Sequence, residues 1–207
     1  MKRWVGMIVC GVASVALTAW AAVVPPPPAP VGAGGLPKNA LALKKLDVQP
    51  KLLTPQFQVT PMPPASKVPR YWYQMTLHFD THMEWMDDLD FRCYVLLKPR
   101  PSAGNAPHML LRGDVTLVNV AKGKHKCDFF VHPSTLARYG EVEAVAVVVS
   151  KSDQVIGMLS QPPSAKRWWE DYQPVPNMVL KRSDTPWALI NYDDFEQVKE
   201  TAPGATR

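Results

Sequence analysis

Catalytic signatures are what these 207 residues lack. There is no GxSxG, no HExxH, no glycine-rich phosphate loop and no active-site cysteine signature of the papain type. Ser, His and Asp occur, but a triad is a spatial arrangement that their spacing does not support. Charge of one sign is also scarce, with Lys+Arg 23 against Asp+Glu 18. No basic cluster interleaves with aromatics as a nucleic-acid groove requires, so nucleic-acid binding is disfavoured. At 20% charged and 46% hydrophobic the chain is neither a charged disordered tail nor a multi-span membrane protein. No internal period indicates a solenoid. The reading is a non-enzymatic chain with one core and no expected cofactor.

Proline is the residue in excess. Its 22 copies are roughly twice the usual ~5%, and they concentrate between Pro25 and Pro69. Ahead of them, Lys2 and Arg3 precede an apolar run from Val5 to Leu17, and Thr18-Ala19-Trp20-Ala21 offers an A-x-A type cut. This pattern reads as a secretory signal peptide, and the run is shorter than the ~20 apolar residues of a spanning helix. Cys10 follows Val9, which is too large for a lipoprotein cut, and leaves with the signal. The mature chain then carries 21 − 18 = +3 and no membrane span. The expected address is exported: periplasm, outer surface or extracellular.

The segment PPPPAPVGAGGLPKNALA from Pro25 to Ala42 fixes φ at its prolines and frees it at its glycines, so it reads as an extended spacer. Leu43 to Val59 is apolar but interrupted by Pro50 and Pro55, which confines it to edge strands or bulges. A second proline patch runs from Pro61 to Arg70. Beyond it the period becomes two. Tyr73, Met75, Leu77 and Phe79 alternate with Trp72, Gln74, Thr76 and His78, and Phe91, Cys93, Val95 and Leu97 repeat the pattern. Cys127, Phe129 and Val131 alternate with Lys126, Asp128 and His132. Asp114 to Val120 reads as a strand ending in a Lys122-Gly123-Lys124 turn. Val142 to Val149 is apolar on both faces, as in a central strand, and turns through Lys151 to Gln154 into Val155 to Leu159. Ser134 to Tyr139 reads as a helical turn capped by Ser134.

Strands at this spacing predict an all-β fold: an antiparallel immunoglobulin-like β-sandwich with short helical turns. Trp187, Ala188, Leu189, Ile190, Tyr192 and Phe195 crowd near the C-terminus and read as an arm packed on the sandwich, with Asp193, Asp194 and Glu196 facing out. The organisation is therefore signal peptide 1–21, Pro/Gly-rich linker 22–42, β-sandwich domain 43–200 and disordered tail 201–207.

Three constellations carry possible chemistry. Cys93 and Cys127 both sit on inward phases, and export makes a disulfide available, worth roughly 3–4 kcal/mol on a chain-entropy model. Two buried unpaired thiols are the alternative. His78, Asp80, His82 and Glu84 fall at every second position and share one face if extended, so neighbours among them could chelate a metal. The solvent face of an amphipathic strand has the same composition. Trp168, Trp169 and Tyr172 lie in a turn-rich segment. Adjacent aromatics on an extended chain cannot both face inward, so one could stack on a sugar or a partner protein. Cover for a core edge is the alternative.

The segments TPWALINYDDFEQVK, PKLLTPQFQVT and YWYQMTLHFD are together similar to a group of small secreted bacterial proteins of immunoglobulin-like β-sandwich type. Some of that group resemble proteins encoded beside type IV pilus machinery. The resemblance spans Leu46 to Lys199 and transfers no catalytic or binding residues. It implies a non-enzymatic envelope role. A bacterial pilin would show a prepilin cut followed by a long apolar helix starting with Phe, and Ala21 is followed by neither. The function expected is an exported protein-interaction module whose partner is an envelope, pilus or host-surface protein. The alternative is a carbohydrate-binding module that stacks a glycan on Trp168, Trp169 and Tyr172.

Overall fold

Period-two alternation is realised as strands almost wherever the sequence carries it. A computed structural model of the chain describes residues 37, 39–57, 68–101 and 106–199. The expected signal peptide, most of the linker, the tail 201–207 and residues 58–67 lie outside the described residues. The strands are β1 (Leu41–Leu53), β2 (Tyr71–Met86), β3 (Leu89–Lys98), β4 (Met109–Leu117), β5 (Val120–Val131), β6 (Glu141–Lys151), β7 (Gln154–Gln161), β8 (Pro174–Val175) and β9 (Val179–Lys181). One short helix, α1 (Pro133–Tyr139), joins β5 to β6. No helix among the described residues is long and apolar enough to cross a membrane.

The strands form two sheets, ordered β1-β2-β5-β9 (sheet A) and β7-β6-β3-β4-β8 (sheet B), an all-β sandwich. Pairing is antiparallel except for the two-residue parallel contact of β4 with β8. For β2, β3 and β5 the inward phases are those the alternation indicates. Met75, Leu77 and Phe79 of β2, Phe91, Cys93, Val95 and Leu97 of β3, Cys127, Phe129 and Val131 of β5, and Val145, Val147 and Val149 of β6 are buried in one cluster. Phe79 and Phe91 meet across the sheets with ring centroids 5.1 Å apart. Burial of each such side chain stabilises by roughly 1.5–3 kcal/mol. β6, apolar on both faces, is central, between β7 and β3.

Local features depart from the sequence reading in instructive ways. Leu41 and Ala42, assigned to the linker, already belong to β1. β1 is an edge strand whose register breaks between Leu43 and Lys45 and between Gln49 and Leu52, the second break falling at Pro50, which cannot donate to a ladder. Lys122-Gly123-Lys124 is not a turn but the interior of β5. The chain turns earlier, at Asn119, whose left-handed φ of 55° falls where it passes from β4 of sheet B to β5 of sheet A. The β6–β7 turn is as expected, with Ser152 and Asp153 both left-handed. The cap of α1 is His132 rather than Ser134, because Pro133 takes the first helical position and the His132 ring nitrogen accepts from the Ser134 amide at 3.1 Å. In the C-terminal arm Trp187 is buried and Asp193, Asp194 and Glu196 face out. Leu189 and Tyr192, expected to pack, are instead exposed, Leu189 at 85%.

Edges of the two sheets approach on both sides of the sandwich. β4 passes β9 where Gly113 lies, and a Cβ there would overlap the Val179 backbone carbonyl. β1 passes β7 at Gly157, where a Cβ would sit 2.8 Å from the Leu43 Cδ1 methyl. Backbone cannot give way as a terminal methyl can. Gly113→Ala is therefore expected to destabilise by about 3 kcal/mol or more and Gly157→Ala by about 1 kcal/mol, within the range for overpacking. Urea unfolding of the two variants checks the order, and equal costs would contradict it.

Candidate functional site

The outward phases are where function must be sought, and much of that surface is already covered. On sheet B, Tyr94 and Leu96 of β3, Leu110 of β4 and Ala146 of β6 form an apolar outer patch. A 3-10 turn, Trp168–Asp171, lays Trp169 on it, stacked on Tyr94 at 5.6 Å and only 7% exposed. Trp168 leans edge-on against Trp169 at 5.5 Å, and Tyr172 stands apart near His108. The three aromatics thus make no shared stacking platform. Trp169 serves as cover, because the outer face beneath it is itself apolar.

Sheet A has the matching arrangement. Trp72 of β2 and Phe130 of β5 point outward and are covered by Trp187 of the arm, which stacks on Phe130 at 5.1 Å. Beside them Asp128 is buried and accepts from Thr76 Oγ1 at 2.6 Å and from Gln74 Nε2 at 3.1 Å. Arg182 completes this network, donating to Asp128 and to the Ile190 carbonyl, with its guanidinium 3.9 Å from the Phe195 ring centroid. The sequence offers little signal for the pair: Asp128 is one polar residue on an outward phase, and Arg182 one basic residue among turn-formers.

The metal reading fails on geometry. β2 is extended through His78, Asp80, His82 and Glu84, yet the four groups do not converge. His78 lies 3.2 Å from Asp47 and Asp80 3.2 Å from Lys44, both across on β1. His82 and Glu84 are exposed where the β2–β5 register breaks, between Thr81 and Trp85. Among the described residues no group of three or more His, Cys, Asp or Glu could hold an ion.

Cys93 and Cys127 lie on facing sheets, fully buried and free, so the expected bridge is not formed in this structure. Burial, first of all, pushes both thiols well above the ordinary range, reinforced by Asp114 for Cys93 and by Asp128 for Cys127. Neither is a nucleophile in the folded state.

What remains open is a strand edge. On one side of the sandwich β8 and β9 cap β4 and β5, and the arm returns to sheet B through Val118 N to Gln197 O at 2.8 Å and Lys199 N to Thr116 O at 2.8 Å. On the other side β1 and β7 are long edges. β1 carries Lys44, Lys45, Asp47, Pro50 and Lys51 and two register breaks, the usual defences against strand addition. β7 reads QVIGMLSQ, with no charge and no proline, and exposes Val155 and Met158. Its missing charge is visible in the sequence, but its edge position is not.

A protein-family model matches residues 37–202. A crystal structure of a protein from Akkermansia muciniphila matches with a TM-score of 0.66 at 19% identity, covering 78% of this chain and 93% of that one. At that identity the likeness shows the fold. No curated protein matches the sequence.

Two measurements follow from this geometry. In a chain beginning at residue 22, thiol titration is expected to find no reactive thiol in the native state and two after unfolding without reductant. A count of zero after unfolding would establish the bridge instead. Arg182→Met leaves Asp128 buried and uncompensated, an expected loss of about 3–5 kcal/mol. Adding Asp128→Asn should return part of that loss in urea unfolding, and strictly additive losses would deny that the two are coupled.

Proposed function

We propose, because the chain belongs to the family whose model spans residues 37–202, that it is an exported, non-enzymatic interaction module of the cell envelope or surface, pilus-associated, whose partner is an envelope, pilus or host-surface protein. Three sequence features support export and tethering: the basic and apolar N-terminus, the A-x-A cut, and the Pro/Gly segment before β1. The resemblance over Leu46 to Lys199 supports the pilus association.

The observation that carries the reading is the uncharged, proline-free edge of β7. An edge strand offers a row of N–H and C=O groups to an incoming strand, and proteins that avoid such pairing place charge, proline or a bulge there. β1 has all three, whereas β7 has one register break, between Val155 and Gly157, and neither charge nor proline, so sheet B is the sheet more open to extension. The exposed Val155 and Met158 would contribute apolar contacts to the outer face of an added strand.

Val155→Lys with Met158→Lys places two charges on this edge while leaving the inward Ile156 and Leu159 intact. In affinity capture from envelope extract, the unaltered protein is expected to retain a protein partner that the double variant loses, with both melting at the same temperature. No partner, or equal retention by the variant, would overturn the reading.

A further inference from the structure

The outward face of sheet A holds a groove of about 590 Å³ between β1 and the C-terminal arm, within the size range of small-ligand sites. Its electrostatics are closed. Arg182 is paired with Asp128, Lys126 lies 3.7 Å from Asp194, and Asp47 lies 2.5 Å from Lys45 outside the lining and 3.2 Å from His78, so each carboxylate of the lining faces a cation. An ion entering the groove would have to break one of these pairs.

What the groove leaves uncommitted is neutral. The side-chain amides of Gln49 and Asn191 line it from opposite walls and make no hydrogen bond to another described residue. Gln74 gives its Nε2 to Asp128, which leaves its amide oxygen as an acceptor. Each amide can both donate and accept, or accept alone, as hydroxyl groups require. Trp187 and Ile190 supply an apolar side to the same groove. The floor is a sheet face rather than an edge, so its backbone groups are consumed in the β1–β2 and β2–β5 ladders. An extended peptide laid there would leave its own amides unpaired, at a desolvation penalty.

From amide donors and acceptors, an apolar wall and a balanced charge, we propose that this groove binds a neutral saccharide of a few sugar units. The site is separate from the Trp168-Trp169 pair and from β7. Sugar hydroxyls pair with Gln49, Gln74 and Asn191, and the C–H face of a ring lies against Ile190 and the exposed margin of Trp187.

The test is a titration of the mature protein with neutral tetrasaccharides built from glucose, xylose, mannose and N-acetylglucosamine, followed by 15N NMR of side-chain amides and indoles. At least one is expected to shift the Gln49, Asn191 and Trp187 signals saturably. Gln49→Ala with Asn191→Gly removes both free amides at exposed positions, and glycine keeps the left-handed φ of 51° at position 191. This double variant is expected to keep its melting temperature and to weaken binding at least tenfold. Val155→Lys with Met158→Lys should leave saccharide binding unchanged, which separates this site from the β7 edge. No shift with any of the four sugars would overturn the proposal. So would unaltered affinity in the Gln49/Asn191 variant, or the same shifts produced by tetra-alanine and by no sugar.

Discussion

The buried ion pair between Asp128 and Arg182 is the constraint on which the surface of this molecule depends. A carboxylate in that position is tolerated only because Thr76, Gln74 and Arg182 all donate to it. Arg182 in turn is the first residue of the arm and holds the Ile190 carbonyl and the Phe195 ring. A buried pair of this kind contributes modest net stability, yet removing one partner strands the other, so the two act as a register pin more than as a source of free energy. The pin fixes where Trp187 lands on Phe130, and therefore which part of sheet A is covered.

Both sheets carry apolar residues on the wrong side for a simple sandwich. Tyr94, Leu96 and Ala146 face out from sheet B, as do Trp72 and Phe130 from sheet A. The chain after β7 resolves this by running over the sandwich rather than extending it. It puts Trp169 on the outer face of sheet B, adds β8 and β9 to two edges, and ends with Trp187 on sheet A. One segment thus covers two faces and closes one side, and it does so with 3-10 turns and two- and three-residue strands instead of regular elements.

This explains what was legible in the sequence. Inward phases of β2, β3 and β5 follow from alternation alone, since a one-residue error would invert every side chain. The centrality of β6 follows from its two apolar faces. The Trp168-Trp169 segment and the arm have no period, because their residues answer to a surface made by distant strands, and no local rule encodes that surface. The same holds for His78, Asp80, His82 and Glu84, whose spacing matches a chelate only until β1 supplies Lys44 and Asp47 as nearer partners. The turn after β4 was displaced because Asn119 outcompetes Lys-Gly-Lys as a left-handed reversal.

The closed side of the sandwich gives the open side its meaning. An uncharged edge on a protein with several poorly capped strands would read as an aggregation liability. Here β4 and β5 are capped, β1 is charged and broken by proline, and β7 has a single register break with no charge or proline. Its extent is also bounded: the left-handed pair Ser152 and Asp153 begins it, and Pro162 and Pro163, which limit further ladder hydrogen bonding, follow it. The edge is eight residues long, roughly 26 Å at the usual rise per residue, which limits any added strand to a similar length. A second strand could join only if the first brought an undefended edge of its own. In the proposed reading, restriction of that kind suits a single partner segment, which would meet Val155 and Met158 on the outer face.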